Sequence, residues 1–130
     1  MRAFDQLRLP DEPTVLAPDG SQVRVLLALE QGSMAHFHLP AGAVARAVRH
    51  QTVHELWYVL SGGGQLWRLQ SGREDVLALE PGLSLTIPLG TCFQFRASPE
   101  CGLSVVAVTM PPWPGADEAV MVQGPWRATV

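Results

Sequence analysis

Charge is scarce in this sequence. Charged side chains make up 16% of the 130 residues, against about 25% in an average soluble domain. The formal net charge of −3 leaves no basic patch, so nucleic acid and anionic membrane surfaces are not expected partners. Long apolar runs are missing too. None reaches the roughly 18 residues of a membrane span, and the opening MRAFDQLRLPDEP has no apolar signal core. Two cysteines, Cys92 and Cys101, are too few for a disulfide scaffold. Neither lies in a CxxC pair or beside a His-Asp arrangement, so both read as reduced thiols of a cytoplasmic protein and not as nucleophiles. There is no internal repeat, no low-complexity segment and no convincing helix. Gly62-Gly-Gly64 lacks the lysine and the following helix of a phosphate loop, and is read as a tight turn.

What is present is apolar and rich in turns: 47% hydrophobic residues, 12 glycines and 11 prolines, in a chain of single-domain length. Residues 1–13, with Pro10 and Pro13, form an arm. Thr14–Ala17 and Gln22–Leu29 flank the turn signal Pro18-Asp-Gly-Ser21. In the second run Val23, Val25, Leu27 and Leu29 share a face at period two. Met34–Leu39 follows, with His36 and His38 on one face. Residues 41–50, AGAVARAVRH, are rich in alanine but short and uncapped, and are read as extended. Glu55–Leu60 is a strand stopped by Ser61-Gly-Gly-Gly64. Gln65–Gln70 and Asp75–Leu79 make a hairpin across Ser71-Gly72. Leu83–Ile87, Thr91–Arg96 and Leu103–Met110 complete the set. Short strands at intervals of about 8–12 residues predict an all-β sandwich or barrel. The tail, 111–130, reads as irregular, with Trp113 and Trp126 packing on the barrel or on a partner subunit.

Two spaced motifs carry a resemblance. Gly42, position 48, His50, Glu55 and Gly62 follow the spacing of the first cupin motif; Gly82, Pro88-x-Gly90, position 93 and position 97 follow that of the second. The chain therefore resembles a small single-domain cupin, with the barrel over residues 20–110. The resemblance implies a double-sheet jelly roll, often dimeric, with a cavity at the barrel mouth and a divalent metal held by three histidines and a glutamate. This sequence departs from that ligand set. Val48 and Phe93 stand where two of the histidines would be, and Ala97 replaces a frequent asparagine. His50 and Glu55 alone are too few donors for a tightly held metal, so no cofactor is expected at the usual position. An alternative divergent metal site would use His36, His38 and His50.

His50 and Glu55 are the candidate catalytic pair, since an imidazole beside a buried carboxylate suits proton transfer. The competing reading is a hydrogen-bonded relic in a cavity that only binds. Trp57, Val59, Gln65, Trp67, Phe93 and Phe95 are the candidate ligand contacts, by parity and by the usual make-up of small-molecule pockets; the competing reading is plain barrel core. His54 should point to the opposite face. Arg46, Arg49, Arg68 and Arg96 read as solvated surface charges. Three functions stay open: a metal-independent acid–base enzyme of the dehydratase, isomerase or cyclase type acting on a small apolar or aromatic metabolite, a non-catalytic ligand-binding or sensor barrel, and an oxygenase with a divergent histidine site.

Overall fold

A computed structural model describes residues 1–130. Its eleven strands are β1 (Val15–Leu16), β2 (Gln22–Leu29), β3 (Gly32–Leu39), β4 (Val48–His50), β5 (His54–Ser61), β6 (Gly64–Gln70), β7 (Arg73–Leu79), β8 (Ser84–Ile87), β9 (Cys92–Ala97), β10 (Leu103–Met110) and β11 (Ala119–Met121). One 3-10 turn, Ala116–Glu118, precedes β11. The strands form two sheets, β1-β2-β3-β10-β5-β8 and β11-β4-β9-β6-β7, and every pairing is antiparallel. This is the predicted all-β double-sheet jelly roll; 41–50 holds no helix, but it opens with a turn at 41–42 and is strand only from Val48, with a single bridge from Val44 to Arg96 before it.

β5 shows why the alternation was readable. Glu55, Trp57 and Val59 are buried while His54, Leu56, Tyr58 and Leu60 are exposed, the period-two signature of a strand with one face on the core. β10, between β3 and β5, alternates the same way along all eight residues. The inner faces meet in one cluster that includes Leu39, Trp57, Val59, Leu85, Ile87, Val105 and Ala107 from the larger sheet and Val48, Leu66, Phe93 and Phe95 from the smaller. Gly62, the last glycine of the first motif, turns β5 into β6 at φ 81°. A Cβ there would lie 1.6 Å from the Gly102 carbonyl oxygen, so both the backbone angle and the close approach require glycine.

Two expectations need correction. The common face of Val23, Val25, Leu27 and Leu29 does not persist, because the register of β2 on β3 shifts between Val25 and Ala28. Of the four only Val23 is buried. The tail is not irregular throughout: β11 pairs with β4, and the carboxylate of Glu118 accepts hydrogen bonds from the Thr52 N–H and hydroxyl. Trp126 accepts the guanidinium of Arg96 over its ring at 4.1 Å, and its backbone is bonded to the Gln94 side chain. Both ends of the tail thus pack on the chain's own barrel.

Candidate functional site

At one end of the barrel the sheets leave a cavity of about 300 Å³ lined mainly by apolar side chains. β4 and β5 deliver its polar groups. His50 ends β4, and Glu55 enters near the head of β5 facing inward. His50 Nδ1 lies 3.1 Å from Glu55 Oε2, with side-chain exposures of 7% and 2%. The approach is off hydrogen-bond alignment, and neither atom has another partner. The other carboxylate oxygen, Oε1, accepts the indole N–H of Trp57 at 2.9 Å. The His50 ring stands edge-on to Phe93 on one side and to Trp113 on the other, each at 5.2 Å between centroids. With Nδ1 turned to Glu55, Nε2 is the ring nitrogen left for a molecule in the cavity.

The structure divides the expected ligand contacts into three groups. Trp57 and Phe93 line the cavity with His50 and Glu55. Val59 and Phe95 lie in the core cluster below it, Phe95 edge-on to Trp57 at 5.0 Å. Gln65 and Trp67 are on the other face of the smaller sheet. Register explains this: Leu66, paired with Phe95, is the inward residue of β6, so its neighbours point away. Gln65 Oε1 accepts from Arg96, and Trp67 Nε1 donates to Glu74 at 2.8 Å. Parity does not carry from β5 to β6 across the turn. Arg68 and Arg96 are likewise not free surface charges, since Arg68 forms a two-pronged pair with Asp75. His54 is exposed, and its Nδ1 accepts from the Leu89 N–H.

Among the cavity residues that were not anticipated, two bring polar or aromatic groups from distant segments. Asp19 sits in the Pro18–Ser21 turn and was read only as a turn former, yet it is buried and lines the cavity. Its Oδ1 accepts both the backbone N–H and the hydroxyl of Ser21, at 2.9 and 2.7 Å. Burial raises its pKa above the ordinary 3.8; the Ser21 bonds oppose the rise, the charge of Glu55 adds to it, and that of His50 opposes it. Trp113 comes from the tail, its backbone N–H donating to Ser33 Oγ at 2.9 Å. Local sequence holds no signal for either placement, because both depend on how distant segments close over the barrel mouth.

A folded-state pKa above the unfolded value means that stability falls as pH rises through it. Asp19→Asn keeps an acceptor for Ser21 and removes the buried charge. The variant is expected to melt at or above the wild-type temperature at pH 7, with the advantage vanishing below about pH 3.8. Thermal melts across this pH range on freshly prepared protein check it; a variant less stable at pH 7 than at pH 3.5, relative to wild type, would contradict the buried-charge account.

The four positions at which the family resemblance implies metal ligands do come together. Val48 and Phe93 are cross-strand partners, and both line the cavity with His50 and Glu55. The donors do not fit a divalent ion: two of the four side chains are hydrocarbon, and one oxygen of Glu55 is tied to Trp57. No group of three or more His, Cys, Asp or Glu side chains in the chain is placed to hold a metal ion. The alternative set of His36, His38 and His50 is not assembled either. β3 turns Ala35 and Phe37 into the cavity, so His36 and His38 point to the outer face of the sheet. There His36 pairs across from Arg24 and Val106, and burial, then the charges of Arg24 and His38, hold its pKa below the usual imidazole range. His38 Nδ1 lies 3.0 Å from Ser104 Oγ.

No protein-family model matches the chain, and no curated protein matches it in sequence. Solved structures match its fold. KdgF from Halomonas sp. superposes with a TM-score of 0.67 at 17% identity, over 85% of this chain and 97% of that one. A variant of oxalate decarboxylase from B. subtilis gives 0.75 at 14% identity, over 93% of this chain but only 34% of that one. BH2720 from Bacillus halodurans gives 0.65 at 17%, over 72% of each. At such identities the likeness is one of fold, and that fold is the cupin barrel.

Proposed function

We propose that this cupin barrel binds a small, largely apolar molecule at its mouth and transfers a proton on it through His50, without a metal. The observation that carries the reading is the buried array Trp57–Glu55–His50 at the polar end of an otherwise apolar cavity. An unpartnered buried carboxylate oxygen and ring nitrogen cost stability unless they serve each other or a ligand. In this array the Trp57 N–H fixes the Glu55 carboxylate, and a small rotation of ring or carboxylate brings Nδ1–H into line with Oε2. Glu55 then orients the ring and favours the tautomer that leaves the Nε2 lone pair toward the cavity. Nε2 takes a proton from the bound molecule and returns it at a neighbouring position or to a leaving group, the chemistry of isomerases and dehydratases. Exclusion of water by the aromatic walls strengthens these interactions.

The assembly proposed with it is a homodimer. The tail no longer argues for one, being packed on its own barrel. The support is now the outer face of the larger sheet, where Leu56, Tyr58 and Leu60 of β5 are exposed beside Val106 and Val108 of β10. Native mass spectrometry tests both statements. The expected spectrum shows a mass of twice 14.1 kDa plus one organic ligand per chain and no stoichiometric metal. A monomer would end the dimer reading, and a stoichiometric iron, manganese, zinc or nickel ion would end the metal-independent mechanism.

A further inference from the structure

We infer that the molecule the cavity takes is a small organic cation, an amine or quaternary ammonium on a compact apolar body. The inference rests on the binding reading above and names its ligand class. Its ground is the charge and chemistry of the cavity wall. No arginine lines the cavity, and the chain contains no lysine at all. Arg46, whose backbone N–H donates to the Asp19 carbonyl oxygen, directs its side chain instead to the Val130 carbonyl oxygen. Two carboxylates, Asp19 and Glu55, do line it, both nearly fully buried. Neither has a cationic side chain beside it other than the imidazole of His50.

The rest of the wall points the same way. Four aromatic rings border the space: Phe37, Trp57, Phe93 and Trp113. They stand edge to face, Trp57 to Phe37 at 6.2 Å and 72°, and Trp57 to Phe93 at 6.2 Å and 90°. Together they make an aromatic enclosure around the space, and a cation near a ring face is attracted by its quadrupole. The remaining polar groups offer an anion little. Ser33 Oγ and Thr109 Oγ1 are bonded to each other at 2.6 Å, and Ser33 Oγ also takes the Trp113 N–H. An anionic ligand would enter a low-dielectric space against two carboxylates and with no guanidinium or ammonium to receive it. A cation there offsets the buried negative charge within an aromatic enclosure.

The test uses three probes that share one aromatic body: benzylammonium, benzyl alcohol and benzoate. Binding is followed by isothermal titration and by the fluorescence of Trp57 and Trp113 at pH 7. Benzylammonium is expected to bind at least about tenfold tighter than benzyl alcohol, as one cation–π contact plus one carboxylate would give, with benzoate weakest. In Asp19→Asn and in Glu55→Gln the preference for the cation over the alcohol, read as the ratio of the two Kd values within each variant, should shrink toward one. If benzyl alcohol or benzoate binds as tightly as benzylammonium, the cation assignment is overturned and the binding reading stands. If no probe binds at millimolar concentration, the cavity is not a binding site for compact aromatic molecules and both readings fall together.

Discussion

His50→Ala is expected to lower turnover of any substrate the wild type converts by about 10²–10⁴-fold, the usual contribution of one positioned acid–base group. Binding should change little, because the ring's loss removes a proton carrier and leaves the aromatic wall of Trp57, Phe93 and Trp113 in place. Glu55→Gln is expected to cost nearly as much. An amide has one acceptor and one donor end, and the Trp57 N–H claims the acceptor. The amide nitrogen is then left facing His50 Nδ1, which holds the ring in the tautomer with its proton on Nε2 and so disables it as a base. An orienting carboxylate changed to its amide acts in this way in the serine-protease triad, at a cost of about 10⁴-fold. Trp57→Phe in the Glu55→Gln background frees the amide to turn over and should recover part of the rate. Steady-state kinetics on the four proteins decide the matter: full activity in His50→Ala would remove His50 from the chemistry, and a Glu55→Gln enzyme no slower than wild type would remove the tautomer argument.

Trp57→Ala should be the most damaging change to stability, at about 3–5 kcal/mol. The side chain is 2% exposed and stands edge-on to Phe37, Phe93 and Phe95, so its removal opens a cavity walled by rings that cannot all collapse inward. It also strips Glu55 Oε1 of its hydrogen-bond donor, leaving a buried carboxylate oxygen unpaired. Against a total stability of about 5–15 kcal/mol for a domain, this is a large share. Trp57→Phe keeps most of the volume and loses only the donor, a cost of about 1–3 kcal/mol. Urea unfolding gives the two numbers from the shift in midpoint at unchanged slope. A loss below about 1 kcal/mol in the alanine variant would mean that the indole is not the packed centre of the core.

The strands were legible because each is a local statement. In β5 from His54 to Leu60, and along all of β10, the side chains alternate between core and outside, and a period of two survives without knowledge of the neighbours. The glycines and prolines that end the strands were equally local, since a backbone angle such as that of Gly62 is required wherever the chain lies. His50, Glu55 and Phe93 were placed together by motif spacing and Trp57 by parity along its strand, and the structure brings all four to one cavity.

What sequence did not decide is whatever depends on register between segments far apart. Trp67 was placed inside by counting from Trp57, but the facing of β6 is set by its pairing of Leu66 with Phe95, not by its distance from β5. The β2 face broke for the same reason, at a bulge visible only against β3. His36 and His38 share a face with each other but not with His50, because β3 turns Ala35 and Phe37 into the cavity and carries its histidines on the outer face, whereas His50 of β4 faces in. Asp19 is a turn residue by every local rule, and becomes a buried acid only because the turn that carries it closes on the cavity. Composition and alternation determined that this chain is an all-β sandwich or barrel, and motif spacing pointed to the jelly roll; the long-range register determined which charges its mouth encloses, since burial belongs to the surfaces that meet and not to either one alone.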